Sequence, residues 1–201
     1  MLKSKKGFTL VELLIVIVVI GVLSSMMMLS STEAVSSAKV ARIISDLTNW
    51  KKAALAWYVD NIDKVDSKGN IKKADGTYGY FGNNGTVTMA EIAKYFSKSF
   101  ETTSGTYSTI NPSAVKDSAS GGKYFTDYRR DSNNNPSGRW FIIFEMPTAW
   151  EKDTRLKEKL EARASNMGLL MVKANAAEVY SYSADHEWSK YVAVEVMNFS
   201  K

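Results

Sequence analysis

Three places in the 201-residue sequence set polar side chains where chemistry could follow. Glu12 is the one strongly polar residue of the run FTLVELLIVIVVIGVLSSMMML, Phe8 to Leu29. A carboxylate in a membrane helix costs on the order of 2.5–3.5 kcal/mol at the bilayer centre and less near its surface, so it marks a pairing or a function. Glu12 requires a partner. Asp131-Ser132-Asn133-Asn134-Asn135 places oxygens at alternate positions, as calcium loops do, with Asp131, Asn133 and Asn135 as candidate ligands. Pro136 stands where that loop wants Gly and Ile142 where it wants Glu, and Arg129, Arg130 and Arg139 add repelling charge. The segment reads as a solvated turn; no cofactor is expected, and calcium is the single ion the spacing admits. Asp185-His186-Glu187 invites a triad or metal reading, but no Ser in a nucleophile-elbow context accompanies it. It reads as a hydrophilic loop between strands. No catalytic residue is assigned, and the chain is expected not to be an enzyme.

Composition narrows the chemistry further. Zero cysteines remove disulfides, thiolate zinc sites and cysteine nucleophiles, and a single histidine puts the usual zinc constellations out of reach. Hydrophobic residues at 45% and charged residues at 23% are those of a folding chain, and the length suits one globular domain with an appendage. The net charge of +5 owes most of its excess to Lys3, Lys5 and Lys6. Elsewhere Lys72-Lys73 and Lys157, Lys159 and Arg163 are spaced among acids, which favours a solvated surface over a DNA-binding stripe.

The element that carries Glu12 is a helix long enough to cross a membrane. At about 1.5 Å per residue, Phe8–Leu29 spans roughly 33 Å, against roughly 30 Å of hydrocarbon. Three lysines precede it and the next acid is Glu33, so the positive-inside rule puts the first residues in the cytoplasm and the rest outside. A cleaved secretory signal fits poorly: the run is long, no A-x-A-like site follows it, and an acid sits near its start.

Lys6-Gly7-Phe8-Thr9-Leu10-Val11-Glu12, abutting this helix, resembles the cleavage and methylation segment of type IV prepilins and of the related pseudopilins of type II secretion. The resemblance implies cleavage between Gly7 and Phe8 by a prepilin peptidase, and methylation of the new Phe8 amine by the same enzyme. A glycine before the scissile bond lets an extended segment approach a protease closely. It further implies that Glu12 and Thr9 serve assembly, Glu12 facing the Phe8 amine of a neighbouring subunit, where low dielectric strengthens the attraction. The implied partners are identical or related pilin subunits, the inner membrane and, indirectly, the assembly ATPase and its platform. The implied location is a bacterial inner membrane, N-in and C-out, then an extracellular pilus or a periplasmic pseudopilus. A DNA-uptake or adhesion module on the same anchor is the alternative. Many relatives carry a proline near the end of this helix and a disulfide near the carboxyl terminus; this chain has neither, so its terminal edge must be held by packing or an ion.

From Ser30 the pattern turns amphipathic. Val40, Ile43, Leu47, Trp50, Ala54 and Trp57 form one apolar stripe, which predicts a helix to about Asp60 and core packing against a sheet. Residues 61–88 read as a loop with a short hairpin. Thr88-Met89-Ala90-Glu91 reads as a capping box opening a helix that carries Ile92, Tyr95 and Phe96. The Ser/Thr/Gly-rich stretch 101–123 reads as an exposed excursion. Strands are expected at 139–146, 168–172, 178–182 and 191–197, with a helix from about Thr148 to Ser165 closed by Gly168. The fold class is α+β: a long amino-terminal helix laid on an antiparallel sheet, pilin-like. The organisation is a leader at 1–7, a membrane and filament-core helix at 8–30, and an extracytoplasmic domain at 31–201.

Overall fold

The computed structural model describes residues 7–72, 76–80, 87–96, 101–104, 113–130, 136–172, 179–187 and 189–199. Its first element, α1, is a helix of 51 residues, Leu10–Asp60, about 75 Å long at 1.5 Å per residue. Thr9 caps its start, accepting the Glu12 N–H at 3.3 Å. Its end is closed by Asn61, whose N–H donates to the Tyr58 carbonyl at 3.1 Å and whose side-chain amide donates to the Trp57 carbonyl at 2.9 Å. No break falls at the end of the apolar run, where the sequence offers no proline.

α1 lives in two environments. From Gly7 to Met28 every residue is exposed. Farther on, Val40, Ile43, Leu47, Trp50, Ala54 and Trp57 are all buried, as their spacing predicts. Trp50 meets Tyr124 with ring centroids 5.6 Å apart, and Trp57 meets Trp140 edge-on at 6.3 Å. Such pairs contribute about 0.5–1.5 kcal/mol each beyond their buried area.

After a 3₁₀ turn at Ile62–Lys64 come β1 (Asn70–Lys72) and β2 (Tyr78–Tyr80), an antiparallel hairpin. α2 (Met89–Ala93) opens with the expected capping box but is only one turn long. Tyr95 and Phe96 fall in the turn beyond it, Phe96 against Trp50 at 4.5 Å and Tyr95 partly exposed, so the predicted shared face is not formed.

The main sheet contains β3 (Glu101–Ser104), β4 (Ser113–Lys116), β5 (Lys123–Arg130), β6 (Pro136–Glu145), β7 (Leu169–Val172), β8 (Val179–Ser181) and β9 (Tyr191–Asn198). Its order is β3-β4-β5-β6-β9-β7-β8 and every pairing is antiparallel. The last four expected strands are present, and the architecture is the α+β, pilin-like one. Of the stretch read as an excursion, 105–112 lies outside the described residues, and the remainder of 101–123 supplies β3 and β4, with Ala114, Val115 and Asp117 buried. Thr102 and Thr103 are β-branched and pair as strand residues despite their loop-like company. β5 was not expected at all, although it pairs with β6 along its whole length.

The helix predicted over 148–165 is two. α3 (Thr148–Glu151) stops before Asp153, whose carboxylate accepts the Leu156 N–H at 3.1 Å and so starts α4 (Thr154–Met167). Gly168 closes α4 in the left-handed conformation at φ 62°. Phe199, just past β9, lies over Gly69, 5.8 Å from the Tyr58 ring, so packing holds the carboxyl-terminal edge among the described residues.

Candidate functional site

Gly7, Phe8 and Thr9 precede α1 outside any helix or strand, Thr9 with extended backbone, and Glu12 sits in the first turn of the helix. Thr9 and Glu12 make a reciprocal capping box: the Glu12 carboxylate accepts the Thr9 N–H and the Thr9 hydroxyl, each at 2.8 Å. The partner that Glu12 requires is therefore met locally, by orphan donors at the helix start. The T-x-x-E spacing that identified Thr88–Glu91 is present here too and would have predicted this cap.

The rest of the segment makes no use of its own fold. Phe8 is 86% exposed, and Leu10 to Met28 form an apolar rod with no cover among the described residues. A Cβ added at Gly7 or at Gly21 would meet nothing within 4 Å. Gly21 sits mid-helix, where glycine costs about 1 kcal/mol relative to alanine, so neither glycine is demanded by packing inside the subunit. Among the described residues one helix is long and apolar enough to cross a membrane, and it is α1.

Where α1 meets the sheet and α4, polar contacts fix the rod. Asp153 accepts from Lys39 Nζ at 3.0 Å and from Ser36 Oγ at 3.3 Å. Burial alone would raise its carboxyl pKa, but the Lys39 hydrogen bond and charge, with the Leu156 N–H and Ser36, outweigh burial and hold it below the ordinary aspartate range. One helical turn on, the Arg42 guanidinium pairs with Asp117, and Asp46 accepts the Tyr124 hydroxyl at 2.9 Å. Burial, followed by the Asp46 charge, pushes the Tyr124 phenol far above its ordinary range, so it remains a donor.

The other candidate residues lie apart. Asp131, Asn133 and Asn135 fall outside the described residues, as do Lys3, Lys5 and Lys6 of the leader. His186 is in the turn between β8 and β9, its ring 5.4 Å from that of Tyr180, while Asp185 and Glu187 are exposed. Among the described residues no three of His, Asp and Glu converge as a metal site would require.

Residues 2–28 match the prokaryotic N-terminal methylation motif. That motif is the signature of type IV pilins and pseudopilins, and it supports a precursor of that type. The proteins it characterises are structural subunits, and it implies processing by prepilin peptidase and assembly into filaments. Comparison with curated proteins and with solved structures gives no match.

Proposed function

We propose that this chain is the structural subunit of a type IV pilus. Prepilin peptidase removes residues 1–7 by cutting between Gly7 and Phe8, and the new Phe8 amine is methylated. Residues 8–30 hold the subunit in the inner membrane, N-in and C-out, and later stack as the filament core; residues 31–201 remain outside. The observation that carries this reading is the division of α1, one half an uncovered apolar rod and the other buried against the sheet. An unbroken helix of this kind can trade lipid for the same helix of a sister subunit without refolding. During that exchange Glu12 turns from the Thr9 N–H to the Phe8 amine of the neighbouring subunit, an opposite charge in a low-dielectric setting.

Intact mass and amino-terminal sequencing of the membrane-associated protein test the processing. A chain beginning with methylated Phe8 supports it, and one beginning with unmodified Met1 refutes it. Shearing cells and blotting then tests the destination. Recovery with the sheared filaments supports a pilus, whereas retention with the cells replaces it by a type II secretion pseudopilus.

A further inference from the structure

Where α1 leaves its apolar run, it is met by two cations from α4. Arg155 Nη1 donates to Thr32 Oγ1 at 2.8 Å, and Lys159 Nζ donates to Ser37 Oγ at 2.6 Å and to the Glu33 carbonyl at 3.2 Å. Among the described residues neither cation meets a carboxylate; Glu33 offers Lys159 its backbone oxygen alone. Beside them, between the two helices, is a cleft of about 310 Å³ lined by Thr32, Val35, Ser36, Lys39, Asp153 and Arg155. The one acid in it is already balanced, since Asp153 holds Lys39 at 3.0 Å. Arg155 therefore leaves the cleft positive, Lys159 adds charge one turn along α4, and Val35, 54% exposed, gives it an apolar side.

Depth decides what such a cleft would meet. If the run ending at Leu29 fills the hydrocarbon, Thr32 lies about 5 Å and Ser36 about 10 Å beyond its edge. The headgroup layer occupies roughly 5–7 Å on each side of the bilayer. We propose that this cleft seats the headgroup of an anionic glycerophospholipid, with Arg155 and Lys159 on its phosphate. The proposal rests on the membrane anchoring proposed above. A free anion would have no reason to find its site at this depth, whereas a lipid is delivered there by the anchor itself. Bound lipid holds the α1–α4 junction at the membrane surface, and the subunit sheds it on rising into a filament.

The test is native mass spectrometry of the full-length chain in detergent, titrated with phosphatidylglycerol or with phosphatidylcholine. A cation near a membrane surface is worth about fivefold in affinity for anionic lipid. Phosphatidylglycerol should therefore be retained more than fivefold over phosphatidylcholine, and the preference should fall about fivefold in Arg155→Gln and disappear in Arg155→Gln/Lys159→Gln. Arg155→Lys should restore it, which separates charge from a folding defect. Equal retention of the two lipids, or an undiminished preference in the double variant, overturns the proposal. Displacement of the lipid by excess inorganic phosphate overturns it too, in favour of a soluble-anion site. Carbonate extraction of cell membranes reports on the anchor separately. A chain released into the soluble fraction sinks the anchoring and the headgroup site together, whereas an anchored chain with no lipid preference sinks the headgroup site alone.

Discussion

Arg42 on α1 and Asp117, the residue after β4, form an ion pair at 2.5 Å in which the carboxylate side chain is 2% exposed. Asp117 also accepts the Ser120 hydroxyl at 2.6 Å and the Ala119 N–H at 3.3 Å. One carboxylate thus orders the β4–β5 turn and ties it to the docked half of the helix. Asp117→Ala should destabilise the chain by about 2–3 kcal/mol: breaking a buried pair costs 3–5, and Arg42 is open enough to water to reduce that. Urea denaturation in detergent measures it, and Asp117→Asn, which keeps an acceptor, should lose less.

The two halves of α1 should answer truncation differently. Trp50 is fully buried, and Trp50→Ala should cost about 3–5 kcal/mol through lost burial and the cavity left behind. Val16 is 49% exposed, and Val16→Ala should leave the denaturation midpoint of the solubilised chain unchanged. An equal response would mean that the rod is covered in the isolated subunit.

Acid should loosen the α1–α4 junction through Asp153. Its carboxyl is held below the ordinary aspartate range in the folded chain, so its contribution to stability is complete above the unfolded-state pKa and is lost as pH falls through the lower folded one. Asp153→Asn keeps a capping side chain but cannot titrate. Thermal melts below pH 4 should show wild-type stability falling towards that of the variant, with the gap between them widest near neutrality.

The turn at Gly69 gives a coupling test. Gly69 adopts φ +76°, and a Cβ there would come within 2.7 Å of the Phe199 ring. Gly69→Ala should cost roughly 1–3 kcal/mol from the left-handed backbone and the clash. In a Phe199→Ala background the clash is gone, so the same substitution should cost measurably less; additive losses in the double-mutant cycle would deny the contact.

Glu12→Ala should separate processing from assembly. The bond proposed for cleavage lies ahead of α1, before Thr9 and Glu12, so the mature mass should still appear. Incorporation into sheared filaments should fall at least tenfold, and normal incorporation would remove Glu12 from the assembly step.

Long periodic elements were legible in the sequence because burial imposes their spacing: the stripe from Val40 to Trp57 and the alternation of Tyr191–Met197 both lie where patterning put them. β5 was missed because a central strand covered on both faces need not alternate cleanly, and Lys123, Asp127, Arg129 and Arg130 broke the apolar signal. β3 and β4 were missed because their Thr and Ser residues look like loop chemistry until a neighbouring strand claims their backbone. At the amino terminus the motif was legible in full. The Thr9–Glu12 cap is legible as well, in the same Thr-x-x-Glu spacing as Thr88–Glu91, although the cost of a carboxylate in lipid points to partners outside the chain.

Since α1 runs from Leu10 to Asp60 without a hinge, the azimuth of the head is geared to the rod. Each residue advances an α-helix by about 100° and 1.5 Å. Deleting one residue between Met28 and Thr32 would keep the described contacts of α1 with the head yet swing it by more than a quarter turn about the rod, presenting a different flank to each neighbour.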